Sequence, residues 1–322
     1  MIASDVGNSG MRNPRIVYRS GGSVRSRIAV APMRVARAVG EVWPMSPWTL
    51  TILDLCGSGV GRLLARTPVE KLDANGVTAV RVRAKSVTQP RQTILYVHGG
   101  GFTFGTPDMY RAAAVRLSAA TNSDVLLFDY RHPPFAPVAS MTADCDTVYR
   151  WAVSQYPTDR LILMGDSAGG NLAVGMLIRA RAEGLPQPAG LAILSAWLDL
   201  TYRHSKGAQR DAFFALRYAR RAAALCSDGN GPLPEVRPLD FDLAGLPPTL
   251  IQIGSTEPLV PGNRELAGGL ARAGVPVELQ LWKDQVHVFQ LFLSFLPESR
   301  SALKEIARFI EHATRREAKL TG

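Results

Sequence analysis

The sequence predicts an α/β fold in which a mostly parallel sheet carries helices on both faces. Three short apolar runs, at residues 93–97, 125–128 and 161–164, alternate with stretches whose apolar residues recur at helical spacing. Strands of a parallel sheet are buried on both faces, so they read as continuous apolar runs. A chain of 322 residues that is 46% hydrophobic and 20% charged is able to bury such a sheet in one globular unit.

The N-terminal part of the chain differs from this pattern. Residues 1–27 are polar and basic, and we expect disorder at the extreme terminus. Two helix-like stretches follow, at residues 28–42 and 48–66. These stretches either pack onto the body of the protein, form part of a lid over a pocket, or contact lipid. We expect residues 1–66 to contribute to a cap.

A β-hairpin opens the α/β region. Asn75-Gly76 is a strong two-residue turn signal, and it separates strand-like residues 69–72 from residues 77–82. Strands and helices then alternate along most of the remaining chain. Beyond the three apolar runs, we expect strands at 190–195, 249–253 and 277–282 and helices at 109–121, 141–155, 167–183, 263–273 and 299–314.

One insertion interrupts that alternation. Residues 201–238 contain a single strong helix, at 211–226, that is rich in alanine and arginine. We therefore expect two parts of one α/β core, at residues 67–200 and 241–322, separated by a cap insertion at residues 201–240.

The chain is strongly basic, with a net charge of +10. Such a balance is compatible with binding to nucleic acid or to an anionic membrane surface. The arginines are spread along the chain and no nucleic-acid-binding motif accompanies them, so we expect no nucleic-acid partner. A weak contact between the basic N-terminal segment and an anionic membrane remains an open alternative.

Cysteine usage and hydropathy bear on the compartment. Cys56, Cys145 and Cys226 are odd in number and widely spaced, which argues against a disulfide framework and favours a reducing cytoplasm. No continuous apolar stretch of a signal peptide follows Met1. No stretch reaches the roughly 18–20 apolar residues of a membrane span. We expect a cytoplasmic protein.

The candidate nucleophile lies in the pentapeptide Gly165-Asp166-Ser167-Ala168-Gly169, between a strand and a helix. A serine on such a sharp turn stands clear of the sheet, and glycines two residues before and after it leave room for the turn. The helix that follows points its free N–H groups back at the serine. The alternative is a glycine-rich turn with an idle serine.

The candidate base is found by elimination among five histidines. His98 adjoins a glycine run, His132 lies among prolines, His204 falls in the insertion, and His312 lies in the last helix. His287 follows the last strand in a short loop. Such loops lie at the carboxyl ends of the strands, where ligands bind in open α/β sheets.

The candidate acid that orients the base is Glu257, in the loop after the preceding strand. The order serine, glutamate, histidine is that of α/β-hydrolases. Asp284 and Asp199 are rivals that follow other strands. The weakest rivals, at the end of the insertion, are Asp240 and Asp242.

The run His98-Gly99-Gly100-Gly101 ends another predicted strand. Three glycines allow the backbone to pass close to a substrate, and two of their N–H groups with that of Ala168 would hold a developing oxyanion. A phosphate cradle is the alternative, but the lysine and hydroxyl residue that such a loop carries do not follow.

From about residue 94 to 310, the chain resembles the hormone-sensitive-lipase-like branch of the α/β-hydrolase fold, and within it the actinobacterial lip-type carboxylesterases. The stretches that carry the resemblance are HGGGF at 98–102, DYR at 129–131, GDSAGG at 165–170, LPPT at 246–249, GSTEPL at 254–259 and VHVF at 286–289. The resemblance implies an eight-stranded, mostly parallel sheet with a helical cap. It also implies catalytic roles for Ser167, Glu257 and His287 and an oxyanion hole formed by the amides of Gly100, Gly101 and Ala168, without a metal or cofactor.

Two positions depart from the pattern of that branch. The acid is Glu257 where aspartate is more frequent, and the extra methylene is one that a loop can absorb. The DYR stretch continues into His132-Pro133-Pro134-Phe135, without the glutamate that usually follows. Any support that this glutamate gives to the oxyanion loop must be absent or replaced.

These observations predict a serine carboxylesterase that acts on small acyl esters of short to medium chain length. Amide hydrolysis, as in a deacetylase, would use the same groups, and a noncatalytic small-molecule-binding protein of this fold is a third alternative. A monomer and a homodimer are both open. The side chains expected to limit acyl length lie in the two cap segments: Trp43, Trp48, Phe213, Phe214 and Tyr218.

Overall fold

The computed structural model describes residues 13–201, 211–228 and 230–318, and its framework is one nine-stranded sheet. The strands lie in the order β1-β9-β8-β7-β6-β4-β5-β3-β2. Only the pairs β2–β3 and β3–β5 are antiparallel. The strands are β1 Arg15–Arg19, β2 Val69–Ala74, β3 Val77–Val82, β4 Gln92–Val97, β5 Ser123–Phe128, β6 Leu161–Asp166, β7 Gly190–Leu194, β8 Thr249–Gly254 and β9 Val277–Trp282.

Helices cover both faces of the sheet and part of its carboxyl edge. They are α1 Val24–Val42, α2 Pro47–Leu64, α3 Pro107–Thr121, α4 Val138–Gln155, α5 Ser167–Ala182, α6 Leu216–Leu225, α7 Val260–Arg272, α8 Phe289–Phe292 and α9 Pro297–Ala318. Within the described ranges, no helix combines the length and apolar character needed to cross a membrane.

Two hydrophobic cores lie on opposite faces of the sheet. In the interior strand β4, Leu95 and Val97 pack with helices α4, α5 and α7, whereas Ile94 and Tyr96 pack with α3 and α9. Side chains alternate between the two faces of a strand, so a strand buried on both faces must be apolar at every position. This is why the apolar runs of the sequence predicted the parallel strands.

The sheet has nine strands rather than the eight that the resemblance implied. The additional strand, β1, pairs in parallel with β9 at the sheet edge. Its arginines form ion pairs with the body of the protein: Arg15 with Glu278 at 3.3 Å and Arg19 with Glu305 at 2.7 Å. This part of residues 1–66 therefore belongs to the sheet and not to a cap.

The helix of the insertion begins later than the sequence indicated, at Leu216 instead of residue 211. Asp211 accepts hydrogen bonds from the amides of Phe213 and Phe214, which holds a turn before the helix. The first amides of α6 donate to Glu41 of α1. The two segments expected to form a cap, α1 and the insertion, thus contact each other. His204 lies outside the described residues.

Candidate active site

Ser167 is the first residue of α5 and directly follows strand β6. Its φ angle of +51° is unusual for a residue other than glycine and is the mark of a strained turn. A Cβ atom at Gly169 would collide with the carbonyl oxygens of Val97 and His98, and one at Gly165 would lie 2.5 Å from the carbonyl oxygen of Gly169. Both glycines of the motif are therefore required by close backbone approach.

His287 lies between Ser167 and Glu257 in one chain of hydrogen bonds. Its Nε2 is 3.0 Å from the Ser167 Oγ, and its Nδ1 is 2.7 Å from the Glu257 Oε2. A carboxylate is only an acceptor, so Nδ1 carries the proton and Nε2 is left to accept the serine proton. The three side chains follow strands β6, β8 and β9, whose carboxyl ends meet at one edge of the sheet.

Glu257 is held by more than the histidine. Its Oε1 accepts a hydrogen bond of 2.7 Å from the Ser195 hydroxyl and another of 2.7 Å from the Gly254 amide. Burial raises the pKa of Glu257, and the hydrogen bonds from His287 and Ser195 act in the opposite direction. The longer glutamate side chain thus reaches the histidine from a loop that also fixes its second oxygen.

The rival acids lie elsewhere. Asp284 is exposed, and Asp199 accepts hydrogen bonds from the amide and hydroxyl of Thr201. Asp240 forms an ion pair with Arg237, and Asp242 forms one with Arg181. None of these four aspartates has a described hydrogen bond or ion pair with His287.

None of the other described histidines has a described hydrogen bond with Ser167. His98 is fully buried, with Nδ1 2.8 Å from the Gly99 carbonyl oxygen, and burial lowers its pKa to about 3. His132 is buried, with Nδ1 3.1 Å from the Pro133 carbonyl oxygen. His312 is exposed on α9.

The charge environment favours the protonated form of His287. Burial alone would lower the pKa of this histidine, but its hydrogen bond to Glu257 and the Glu257 charge outweigh burial, so the pKa is raised. The charges of Asp211 and Asp166 add to the same effect. An imidazole that gains a proton during a reaction is therefore stabilised at this position.

The loop after β4 has a backbone conformation that requires glycine. Gly100 and Gly101 have φ angles of +124° and +60°, and a Cβ at Gly100 would collide with the Phe104 carbonyl. The adjacent Gly99 amide donates to Asp166 at 3.0 Å. This loop runs beside the first turn of α5, where the Ala168 amide lies.

Asp166 joins that loop to the serine turn. Its buried carboxylate accepts hydrogen bonds of 2.9 Å from Tyr96 and 2.9 Å from Tyr110, besides the one from Gly99. Burial raises the Asp166 pKa to about 6, and these three donors oppose the shift. The motif that marked Ser167 thus contains the residue that fixes the glycine loop.

Tyr130 and Asp54 hold the glycine loop in this chain, which lacks a glutamate after the DYR stretch. The Tyr130 hydroxyl donates to the His98 carbonyl at 2.7 Å, and its ring stacks on the imidazole with centroids 4.3 Å apart. Asp54 of α2 accepts a hydrogen bond of 2.7 Å from the Gly105 amide. The glycine loop is therefore held at both ends without that glutamate.

Asp211 is the site residue that sequence reasoning missed. It is 1% exposed, and its Oδ2 accepts a hydrogen bond of 2.8 Å from the backbone amide of His287. Its backbone carbonyl accepts a hydrogen bond of 2.7 Å from Arg37 of α1. One residue thus connects the insertion to both neighbours: its carboxylate bonds to the histidine loop and its backbone carbonyl bonds to α1. No local signal marked it, because its partner lies 76 residues away.

A cavity of about 410 Å³ opens onto Ser167 and His287. Four of the five side chains expected to limit acyl length line it: Trp43, Phe213, Phe214 and Tyr218. The ring centroids of Phe213 and Phe214 lie 6.5 Å and 5.2 Å from the ring centroid of His287. The fifth, Trp48, is 67% exposed and does not line the cavity.

Metal ligation has no candidate in the part of the chain that the structure covers. Among residues 13–201, 211–228 and 230–318, no three His, Cys, Asp or Glu side chains come together as ligands for a metal ion. The polar side chains that line the cavity include those of Ser167, His287, Asp166, Tyr110 and Tyr218.

Comparisons with known proteins agree with this architecture. The model of a family described as alpha/beta hydrolase fold matches residues 94–291. An acetyl-hydrolase of Streptomyces hygroscopicus is 36% identical over 74% of this chain and 82% of its own. The esterase LipU of Mycobacterium tuberculosis is 34% identical over 88% of this chain and 99% of its own. The crystal structure of an esterase from the bacterial hormone-sensitive lipase family superposes with a TM-score of 0.81, at 31% identity, over 91% of this chain and 100% of that chain.

Proposed function

Because this chain belongs to the alpha/beta hydrolase fold family, in its hormone-sensitive-lipase-like branch, we propose that it is a serine carboxylesterase with a Ser167-His287-Glu257 triad. One observation carries the proposal: the hydrogen bonds from Ser167 through His287 to Glu257 are continuous, at 3.0 Å and 2.7 Å. Relatives and neighbours named as esterases support the same reaction class.

In the proposed mechanism, the Ser167 Oγ attacks the ester carbonyl carbon while the His287 Nε2 takes its proton. Glu257 keeps the proton on Nδ1 and stabilises the imidazolium. His287 then gives the proton to the departing alcohol, which leaves an acyl group on Ser167. Water, activated by the same histidine, attacks the acyl-enzyme and releases the acid.

The amides of Gly100, Gly101 and Ala168 are the proposed oxyanion hole. The positive φ angles of the two glycines are unfavourable for other residues, as expected where the backbone itself must face a substrate. The position of Ala168 in the first turn of α5 adds the positive end of the helix dipole. Such preorganised donors stabilise the charge that develops on the carbonyl oxygen.

We propose esters of short to medium acyl chains as substrates. The cavity volume of about 410 Å³ is at the small end of the ~300–1,000 Å³ of ligand sites. Aromatic rings close to His287 limit the space beside the reacting carbon. The apolar wall favours the hydrocarbon part of an acyl ester over a charged substrate.

Hydrolysis of p-nitrophenyl esters from acetate to palmitate tests this proposal. We expect kcat/KM to be greatest for short or medium chains and to fall at least about tenfold for palmitate, since one methylene changes binding by ~1–3 kcal/mol in a fitted pocket. The Ser167→Ala protein is the control for background hydrolysis. A folded protein that hydrolyses none of these esters would contradict the proposal, and the matching p-nitroanilides would then test amide hydrolysis.

Asp211 is expected to affect the pH profile of the reaction. Its negative charge raises the pKa of His287, and the histidine acts as a base only in its neutral form. For Asp211→Asn we therefore expect the acid limb of kcat/KM to move to lower pH. We also expect kcat to fall about tenfold, because Asp211 uses both oxygens as acceptors whereas asparagine has only one, so either the His287 amide or the amides of Phe213 and Phe214 lose their acceptor.

The control for this prediction is Asp242→Asn. Asp242 is an exposed acid near the insertion and forms an ion pair with Arg181. If the shift in Asp211→Asn arises from the loss of charge beside His287, the acid limb of kcat/KM in Asp242→Asn should lie at the same pH as in the unaltered protein. An unmoved limb in Asp211→Asn, with only reduced stability, would give Asp211 a purely structural role.

Three broader expectations from the sequence are retained as proposals. These are the division into a core at 67–200 and 241–322 with an insertion at 201–240, a cytoplasmic location, and a monomer or homodimer. Cell fractionation tests the location, and light scattering tests the oligomeric state. Within the basic N-terminal segment, Arg15 and Arg19 are less favoured as membrane contacts, because they form ion pairs with Glu278 and Glu305.

A further inference from the structure

We propose that the outer surface of helices α1 and α2 docks on an anionic lipid membrane. This surface, the cap face, is defined by six apolar residues: Ile28, Val35 and Val42 of α1, and Trp48, Leu55 and Leu63 of α2. Each of the six is between 63% and 70% exposed. Docking itself does not depend on the proposed esterase activity.

The six residues form one stripe on each helix. Ile28, Val35 and Val42 are separated by seven residues, which is close to two helical turns, so they share one face of α1. Trp48, Leu55 and Leu63 lie on one face of α2 by the same geometry. Exposed apolar residues that share one helix face differ from singly scattered surface residues and indicate a surface that another apolar phase covers.

Helix α2 carries most of its large apolar residues on its outward side, although Leu50 is fully buried. Its inner face packs on α3 through small residues: the Ser58 hydroxyl bonds to that of Thr106 at 2.6 Å, and a Cβ at Gly61 would collide with the Asp108 backbone. A surface helix of a globular protein normally turns its apolar stripe towards the core. This helix turns it towards the surroundings, as interfacial helices do.

The charges around the cap face identify the partner as anionic. Arg25 and Arg34 are exposed on α1. The only acids of the two helices are Glu41 and Asp54, and both point to the body of the protein, where they accept backbone amides of α6 and of Gly105. An outward surface of apolar and cationic residues matches anionic lipid. A second copy of this face would bring like charges together.

The cavity reaches the cap face. Val39, on the same stripe as Val35 and Val42, is 46% exposed and also lines the cavity, as does Leu53 of α2. Docking would therefore place the cavity entrance at the lipid surface, where apolar esters concentrate. This last consequence, and not the docking, rests on the proposed function.

Co-sedimentation with vesicles tests the proposal. We expect the full chain to bind vesicles containing about one third phosphatidylglycerol, to bind pure phosphatidylcholine more weakly, and to lose part of its binding at about 0.5 M salt. Leu55→Asp/Leu63→Asp is expected to reduce the partition coefficient at least about tenfold. Arg25→Gln/Arg34→Gln should reduce the preference for anionic vesicles.

Phe241→Asp is the matched control. Phe241 is an exposed apolar residue, 49% accessible, that follows the turn packed against α5 and α7. This variant should bind vesicles like the unaltered protein. All variants should hydrolyse p-nitrophenyl butyrate in solution at the same rate. Failure of that hydrolysis in the unaltered protein would count against the proposed function and would leave the docking result unaffected.

Trp48 provides a second readout. Lipids with brominated acyl chains should quench the fluorescence of an indole that inserts into the bilayer. Trp48→Phe should remove most of that quenching. Absence of vesicle binding overturns the proposal. A second outcome also overturns the proposal: the protein self-associates, Leu55→Asp/Leu63→Asp abolishes that self-association, and no vesicle binding is seen. The cap face would then be an interface between copies of this chain.

Discussion

Replacing Ser167 with alanine is expected to lower kcat for p-nitrophenyl butyrate by about 10⁵–10⁶-fold, as in other serine hydrolases that lose the nucleophile. The change removes one oxygen atom and leaves the Cβ, so the turn and its glycine contacts remain. Steady-state kinetics and a thermal unfolding curve measure the two effects. We expect the melting temperature to change little, because no buried apolar group is lost.

Ser154→Ala is the control for this substitution. Ser154 is an exposed serine near the end of α4, and its hydroxyl donates only to the local carbonyl of Trp151 among the described contacts. Its activity should equal that of the unaltered protein. Turnover of Ser167→Ala above about 1% of that value would show that another group supplies the nucleophile, since losses of this type are ~10⁴-fold or greater.

Replacing Glu257 with glutamine is expected to reduce kcat by about 10³–10⁴-fold. The substitution keeps the shape of the side chain and removes the charge that stabilises the His287 imidazolium. It also removes the main cause of the raised pKa of His287. The acid limb of kcat/KM should therefore move to lower pH while the plateau falls.

Three further variants test whether the acid is correctly identified. Glu257→Asp should retain more activity than Glu257→Gln, because the negative charge that stabilises the His287 imidazolium remains. Asp199→Asn and Asp284→Asn should stay within about twofold of the unaltered protein, as surface changes usually do. If either of these two variants loses more activity than Glu257→Gln, then Glu257 is not the acid of the triad.

Much of this fold was predictable because its signals are local. Strands buried on both faces leave continuous apolar runs, and a serine turn needs its glycines within two residues on either side. The proposed site residues were then found from topology. In a parallel sheet the carboxyl ends of strands meet at one edge, which brings Ser167, Glu257 and His287 together from distant parts of the chain.

The features that sequence reasoning missed depend on long-range contacts. Strand β1 has an arginine at each end of a short apolar run, and it becomes a strand by pairing with β9, which lies far away in the sequence, while those arginines form ion pairs with Glu278 and Glu305. Asp211 belongs to the site only through the backbone of His287. Helical periodicity revealed the apolar stripe of α2 but not its direction, so Trp48 was expected in the cavity and lies outside it.

Covalent labelling with diethyl p-nitrophenyl phosphate tests the central claim most directly. An activated serine displaces p-nitrophenolate from this ester and keeps the phosphoryl group, which hydrolyses slowly. We predict one label on the peptide that contains Ser167, and esterase activity that falls in proportion to labelling. The Ser167→Ala protein should remain unlabelled. Full esterase activity in protein labelled at Ser167, or a label on a different residue, would contradict the account.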